Sequence, residues 1–281
     1  MTAPQTAADY LPDWSARVQA TCLYVATRLG DLVQDLVIVG GYAPQLMIPQ
    51  DELPEGGEKH VGTVDLDLGL AIGILNAERY REIAARLRDA GFQPDRNDKG
   101  NVTRQRWVIE DGGERCTVDF LISPPTGEAR VGTIQGLEPD FGALVVRGLH
   151  LAFRDRMKVT LSGKTIRGEK ATRDVYVCGP GAFTVLKALS FRDRGKDKDA
   201  YDLFYVVTHF RDGPADIGRI VRELTDDPAT QDAIAILEED FRELESLGPM
   251  RVAAFLGDQA DEAIRTDVVG AIAELIRNCR T

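Results

Sequence analysis

The chain has 281 residues, 43% of them hydrophobic, enough to bury a sizeable core and to exclude wholesale disorder. With 34 basic and 45 acidic residues the net charge is −11, so the field of the whole molecule repels nucleic acid at long range and any RNA contact needs a local basic face. The four cysteines (Cys22, Cys116, Cys178, Cys279) form no C-x-x-C pair and there are only three histidines, which argues against a zinc site, a histidine-rich metal site or a small disulfide scaffold.

From Trp14 to about Val33 the apolar spacing is helical, with Val18, Cys22, Val25 and Leu29 on one side. "LVIVGG" reads as a short buried strand ending in a glycine turn, and "YAPQLM" as the start of a helix. The stretch from Met47 to Gly62 is rich in Pro, Gly and charge and reads as a long loop. In "GTVDLDLGLAI", side chains alternate along a strand: Val64, Leu66, Leu68, Leu70 and Ile72 share one face, Asp65, Asp67 and Gly69 the other. Asn76 suits the N-cap of a helix "AERYREIAARLRDA" that stops at Gly91. "VTRQRWVI" and "RCTVDFLIS" flank "EDGGE" as a β-hairpin, and strand-like pieces follow near 143–146, 149–153 and 175–178. Helical patterns then cover 182–194, 198–210, 215–224, 229–247 and 261–278. The expected fold class is α+β, with a mixed first part over 1–179 and a helical second part over 180–281. The first residues lack a basic segment followed by an apolar one, and no apolar run is long enough to span a bilayer, so a cytoplasmic protein is expected.

Three features of the first part carry possible chemistry. Gly40-Gly41, between a strand and a helix, lets backbone N–H groups approach a phosphate; such pairs also occur for purely steric reasons. Asp65 and Asp67 on one strand face can hold Mg²⁺, a hard ion that prefers oxygen, or can simply mark a solvated face. Asp119 is a single acid in the apolar strand "CTVDFLI". If that strand lies beside the Asp65 strand, three carboxylates converge, a set able to hold two metal ions for in-line displacement at phosphorus.

Strand, Gly-Gly, helix, then "VDLDL", then a later strand with one Asp, resembles the DNA polymerase β-like nucleotidyltransferase superfamily. "KALSFRDRGKDKDAYDLFYVV", Lys187 to Val207, is similar to the lysine helix and following acidic segment of AbiEii-type nucleotidyltransferases, the toxins of bacterial type IV toxin–antitoxin and abortive-infection pairs. The resemblance covers about Val37 to Val207 and implies a mixed-sheet nucleotidyltransferase core followed by a helical domain. It implies that Gly40 and Gly41 line a triphosphate, that Asp65, Asp67 and Asp119 ligate two Mg²⁺ ions, and that Lys187 neutralises a phosphate of the NTP. Asp202, with Asp199 before it, would hold Lys187 or the acceptor. Tyr42 stands where the superfamily has Ser or Thr, so its hydroxyl either takes over the contact to the triphosphate or points elsewhere. The long 47–62 loop either covers the nucleotide or occludes it.

The implied reaction moves an NMP group from an NTP to a hydroxyl acceptor with release of pyrophosphate. The family suggests RNA as acceptor, with the tRNA 3′ end as one candidate, and a cognate antitoxin as partner. Alternatives are a small-molecule nucleotidyltransferase of the aminoglycoside or lincosamide kind, favoured by the acidic charge, and a silent nucleotide- or partner-binding protein. Taken alone, Lys187 reads as a solvated helix residue, His60 as a loop residue, and Tyr201 and Tyr205 as packing. The run Arg192 to Asp199 reads as an exposed turn or as a basic lip, and the basic stretch from Arg154 to Arg173 as solvated hairpin surface before nucleic-acid contact.

Overall fold

The computed structural model describes residues 4–53, 57–71, 77–125 and 130–280. The chain divides into two compact units, one of Pro12–Ala43 and Gly62–Cys178, the other of Met1–Leu11, Pro44–Val61 and Gly179–Thr281. The stretch Pro44–Val61, assigned to the first part from sequence, thus groups with the helices. Asn76 and Ile72 lie outside the described residues.

The first unit opens with α1 (Pro12–Leu29), and a 3₁₀ turn (Gly30–Asp35) ends the helical pattern four residues earlier than the expected Val33. Strand β1 (Leu36–Val39) runs into a 3₁₀ turn at Gly40–Tyr42; the single-turn helix α2 (Ala43–Met47) that follows belongs, from Pro44 on, to the other unit. Then come β2 (Asp65–Leu70), α3 (Ala77–Asp89), β3 (Gln93–Arg96), β4 (Val102–Asp111), β5 (Glu114–Ile122), β6 (Ile134–Gly136) and β7 (Gly142–Val145). A short helix α4 (Leu151–Arg154) precedes the long hairpin β8 (Arg156–Lys164) and β9 (Lys170–Cys178).

These strands form one mixed sheet in the order β3-β4-β5-β2-β1-β9-β8, with β7 beside β5 and β6 beside β7. β2 is antiparallel to β1 and parallel to β5. Its register with β5 puts Leu66, Leu68 and Leu70 against Val118, Phe120 and Ile122, all buried on one face. That apolar layer, with Trp107 and Phe141 edge-on, is the core the alternation predicts. On the other face Gly69 lets Val37 and Leu149 close over the sheet; a Cβ there would come 2.9 Å from the Val37 side chain.

One expectation changes and one is met. The segment expected as a strand at 149–153 turns into α4: the Leu151 and Phe153 amides donate three residues back, to Gly148 at 3.0 Å and His150 at 3.1 Å, instead of to a neighbouring strand. The basic stretch expected as hairpin surface is itself the β8–β9 hairpin, paired from Arg156↔Cys178 to Lys164↔Lys170.

In the second unit α5 (Pro180–Arg194) begins with a proline in its first turn and stops at Gly195, which adopts φ 61°. After it come α6 (Asp197–His209), α7 (Pro214–Arg222), α8 (Pro228–Asp240), α9 (Leu247–Leu256) and α10 (Glu262–Arg280). α5 packs on α6 and α8, α6 on α9, and α7 along α10. The single helix expected over 229–247 ends at Asp240, and α9, which apolar spacing alone did not reveal, begins at Leu247. The Phe241 ring turns in under Gly248, where a Cβ would lie 2.3 Å from it, and Pro249 fits the first turn of the new helix. No described helix is long and apolar enough to cross a membrane.

Candidate active site

The carboxylates of Asp65, Asp67 and Asp119 come together in the first unit, one oxygen of each lying within 4.8 Å of the others. Strand register does this. Asp67 is paired with Asp119 across β2–β5, and two residues back Asp65 faces Thr117 on the same side of the sheet. The Thr63 hydroxyl donates to Asp65 Oδ1 at 3.1 Å and fixes that carboxylate. Gly40, at φ 69°, brings the β1 turn against Asp67, with which its neighbour Val39 is paired.

Sequence reading missed a fourth member. Arg106 of β4 is paired with Asp119 across the hairpin. Its Nε donates to Asp119 Oδ1 at 2.8 Å and Oδ2 at 3.1 Å, and its Nη2 to Oδ2 at 2.5 Å. Nη2 also lies 3.8 Å from Asp65 Oδ2. Burial raises the Asp119 carboxyl above its ordinary value, while the guanidinium pulls the other way. The same bonds to Asp119 raise Arg106 further, so its charge is permanent.

Tyr42 does not join this group. Its side chain is buried, its hydroxyl has no hydrogen-bond partner, and burial with nearby Cys22 raises its pKa. Cys22 belongs to α1 and sits beside Cys116, on the sheet face opposite the aspartates. The expected contact of Tyr42 with a triphosphate is therefore corrected: the ring is core.

In the second unit Lys187 is buried, not solvated, and its Nζ donates to Asp199 at 3.0 Å and to Asp202 at 2.7 Å. Burial works against its charge, but Asp202 and Asp199 outweigh that and raise its pKa. Asp202 also accepts from Lys198 at 2.7 Å and from His60 at 2.9 Å, so it holds Lys187, as one of its two expected roles required. A carboxylate only accepts, so His60 Nε2 carries the proton. Burial lowers the His60 pKa to about 4, against the pull of Asp202, and the ring is neutral at pH 7. It stacks on Tyr201 and meets Tyr205 edge-on. Gln50 Oε1 accepts from the His60 amide at 2.8 Å and the Tyr205 hydroxyl at 3.3 Å, so both ends of the 47–62 loop are tied to α6.

In the run from Arg192 to Asp199, read as an exposed turn or a basic lip, most of the cations are paired: Arg192 with Asp240 and Glu239, Arg194 with Asp199, and Lys198 with Asp202.

The oxygen-only donor set of Asp65, Asp67 and Asp119 fits a hard divalent ion such as Mg²⁺ or Mn²⁺, and no sulfur or imidazole competes among them. No protein-family model matches the chain, and no curated protein is significantly similar to it.

Proposed function

We propose that this protein is a divalent-metal-dependent nucleotidyltransferase, moving an NMP group from an NTP to a hydroxyl and releasing pyrophosphate. The observation that carries the reading is the meeting of Asp65, Asp67 and Asp119 on adjacent strands, with the Gly40 turn packed against Asp67. Divalent ions held there would stabilise charge on the phosphates and lower the pKa of a bound hydroxyl.

The chain's own residues divide the remaining work. Thr63 orients Asp65, and Gly40 keeps side-chain bulk away from Asp67. The resemblance puts Asp119 close to the acceptor hydroxyl, where its carboxylate would take the proton of the attacking group. Lys187 supports the reading only through the sequence resemblance, since its ammonium is already bonded to two carboxylates.

For the acceptor, the AbiEii-like segment points to RNA, the tRNA 3′ end among the candidates, and to a toxin-like role beside a cognate antitoxin. A cationic small molecule such as an aminoglycoside is the second reading, favoured by the net charge of −11. Incubation with each α-labelled NTP, Mg²⁺ and either total RNA or an aminoglycoside tests both. Label should pass to one acceptor class and fail to do so with Asp67→Asn. No transfer to any acceptor by the unaltered protein, with NTP binding intact, leaves a binding protein and removes the enzyme.

A further inference from the structure

Neighbouring strand pairings set Arg106, Asp119 and Asp67 in one row across β4, β5 and β2, on one face of the sheet. Three carboxylates this close repel one another, and the guanidinium is in ionic reach of two of them. Both oxygens of Asp119 accept from it, in a forked pairing of the kind that also gives geometric specificity. An ion that is to take Asp119 as ligand binds those same two oxygens, and the positive guanidinium beside them opposes it. Only 11% of the Asp119 side chain is exposed, against 41% of Arg106, so the carboxylate is fixed while the arginine reaches it from the solvent side. Rotation about side-chain bonds is enough to withdraw Arg106, with no strand unpaired.

We propose that Arg106 is the resident counter-cation of the carboxylate cluster and a positioning residue for Asp119, exchanged for a divalent ion when one binds there. The inference rests on the reading of the cluster as a metal site. With no ion present, Arg106 holds Asp119 in place and offsets the mutual repulsion of the acids. On binding, the ion takes over both roles and the guanidinium turns out to water or to another anion, for which a phosphate of the incoming nucleotide is the nearest chemical match. Metal affinity in the unaltered protein is therefore lowered by the need to break the Arg106–Asp119 pair.

The test is Mn²⁺ binding to the full chain, read by calorimetry and by the loss of free-ion electron paramagnetic resonance signal. Arg106→Gln should bind Mn²⁺ about tenfold or more tightly than the unaltered protein, the size of a broken charged hydrogen-bonded pair. In an Asp119→Asn background the same substitution should change affinity little, because the contested ligand is gone. Arg106→Lys keeps the charge without the fork; if Arg106→Gln does not fold, its tighter binding supports the exchange in the same way. Unchanged or weaker binding by the folded arginine variant overturns the role given to Arg106 while leaving the metal site standing. Absence of Mn²⁺ binding by every chain, the unaltered one included, overturns both.

Discussion

Gly40 lies so close to Asp67 that a Cβ added at position 40 would stand 1.9 Å from the Asp67 Oδ2. The turn after β1 and the second aspartate of β2 are thus mutually fitted. Gly40→Ala meets two obstacles, the φ of 69° and that collision. Gly100, at φ 77° with nothing within 4 Å of an added Cβ, meets only the first. Gly100→Ala should cost about 1 kcal/mol by urea unfolding, and Gly40→Ala clearly more, about 2–4 kcal/mol. Gly40→Ala should also lose Mn²⁺-induced stabilisation in thermal melts. Equal costs for the two variants would refute the fitted contact.

The buried Tyr42 hydroxyl has no partner. An unmet buried donor is itself a cost, so Tyr42→Phe should leave stability unchanged or raise it by about 1 kcal/mol. Nucleotide affinity, measured by calorimetry, should not change. A weakened affinity would restore the triphosphate contact that the sequence position suggested.

Removing Lys187 leaves Asp199 and Asp202 buried without that partner. Lys187→Met should therefore lower unfolding free energy by about 3–5 kcal/mol. The expected phenotype is loss of soluble, folded protein. A folded, stable and inactive Lys187→Met would instead return the lysine to the role of a phosphate ligand.

His60 gives stability a pH dependence of defined sign. Its folded pKa, about 4, lies below its ordinary value of 6.5 because burial opposes the charge. Between those values the unfolded chain binds a proton that the folded chain does not, so stability falls as pH drops through this window. From pH 7 to pH 5 the loss from this residue is about 2 kcal/mol. Asp202 adds a separate loss at lower pH: Lys187 and Lys198 overcome its burial and hold its pKa below the ordinary carboxylate value, so its contribution disappears as that carboxylate range is crossed downward. Urea midpoints at pH 7 and 5 should differ less in His60→Gln than in the unaltered chain. An equal pH response in both would show that His60 is not the titrating group.

Local pattern made much of the site legible. Alternation put Asp65 and Asp67 on one face of β2 and Leu66 and Leu68 on the other, and the hairpin turn at "EDGGE" separated β4 from β5 as expected. Even Arg106 was within reach: a turn that pairs Asp111 with Glu114 fixes the register, and five steps back along it Arg106 meets Asp119. The helices of the second unit followed from apolar spacing, except where Phe241 and Pro249 divide α8 from α9.

Sequence by itself determined which side chains share a face, because periodicity is a property of a few consecutive residues. It did not determine that β2 lies beside β5, which converts a pair of acids and a distant third into one cluster. Nor did it determine that His60 would be drawn in against Asp202, 142 residues away, or that Lys187 would be buried between two acids. Strand order and buried ion pairs depend on contacts between remote segments, and those are chosen by packing of the whole chain rather than by any one stretch of it.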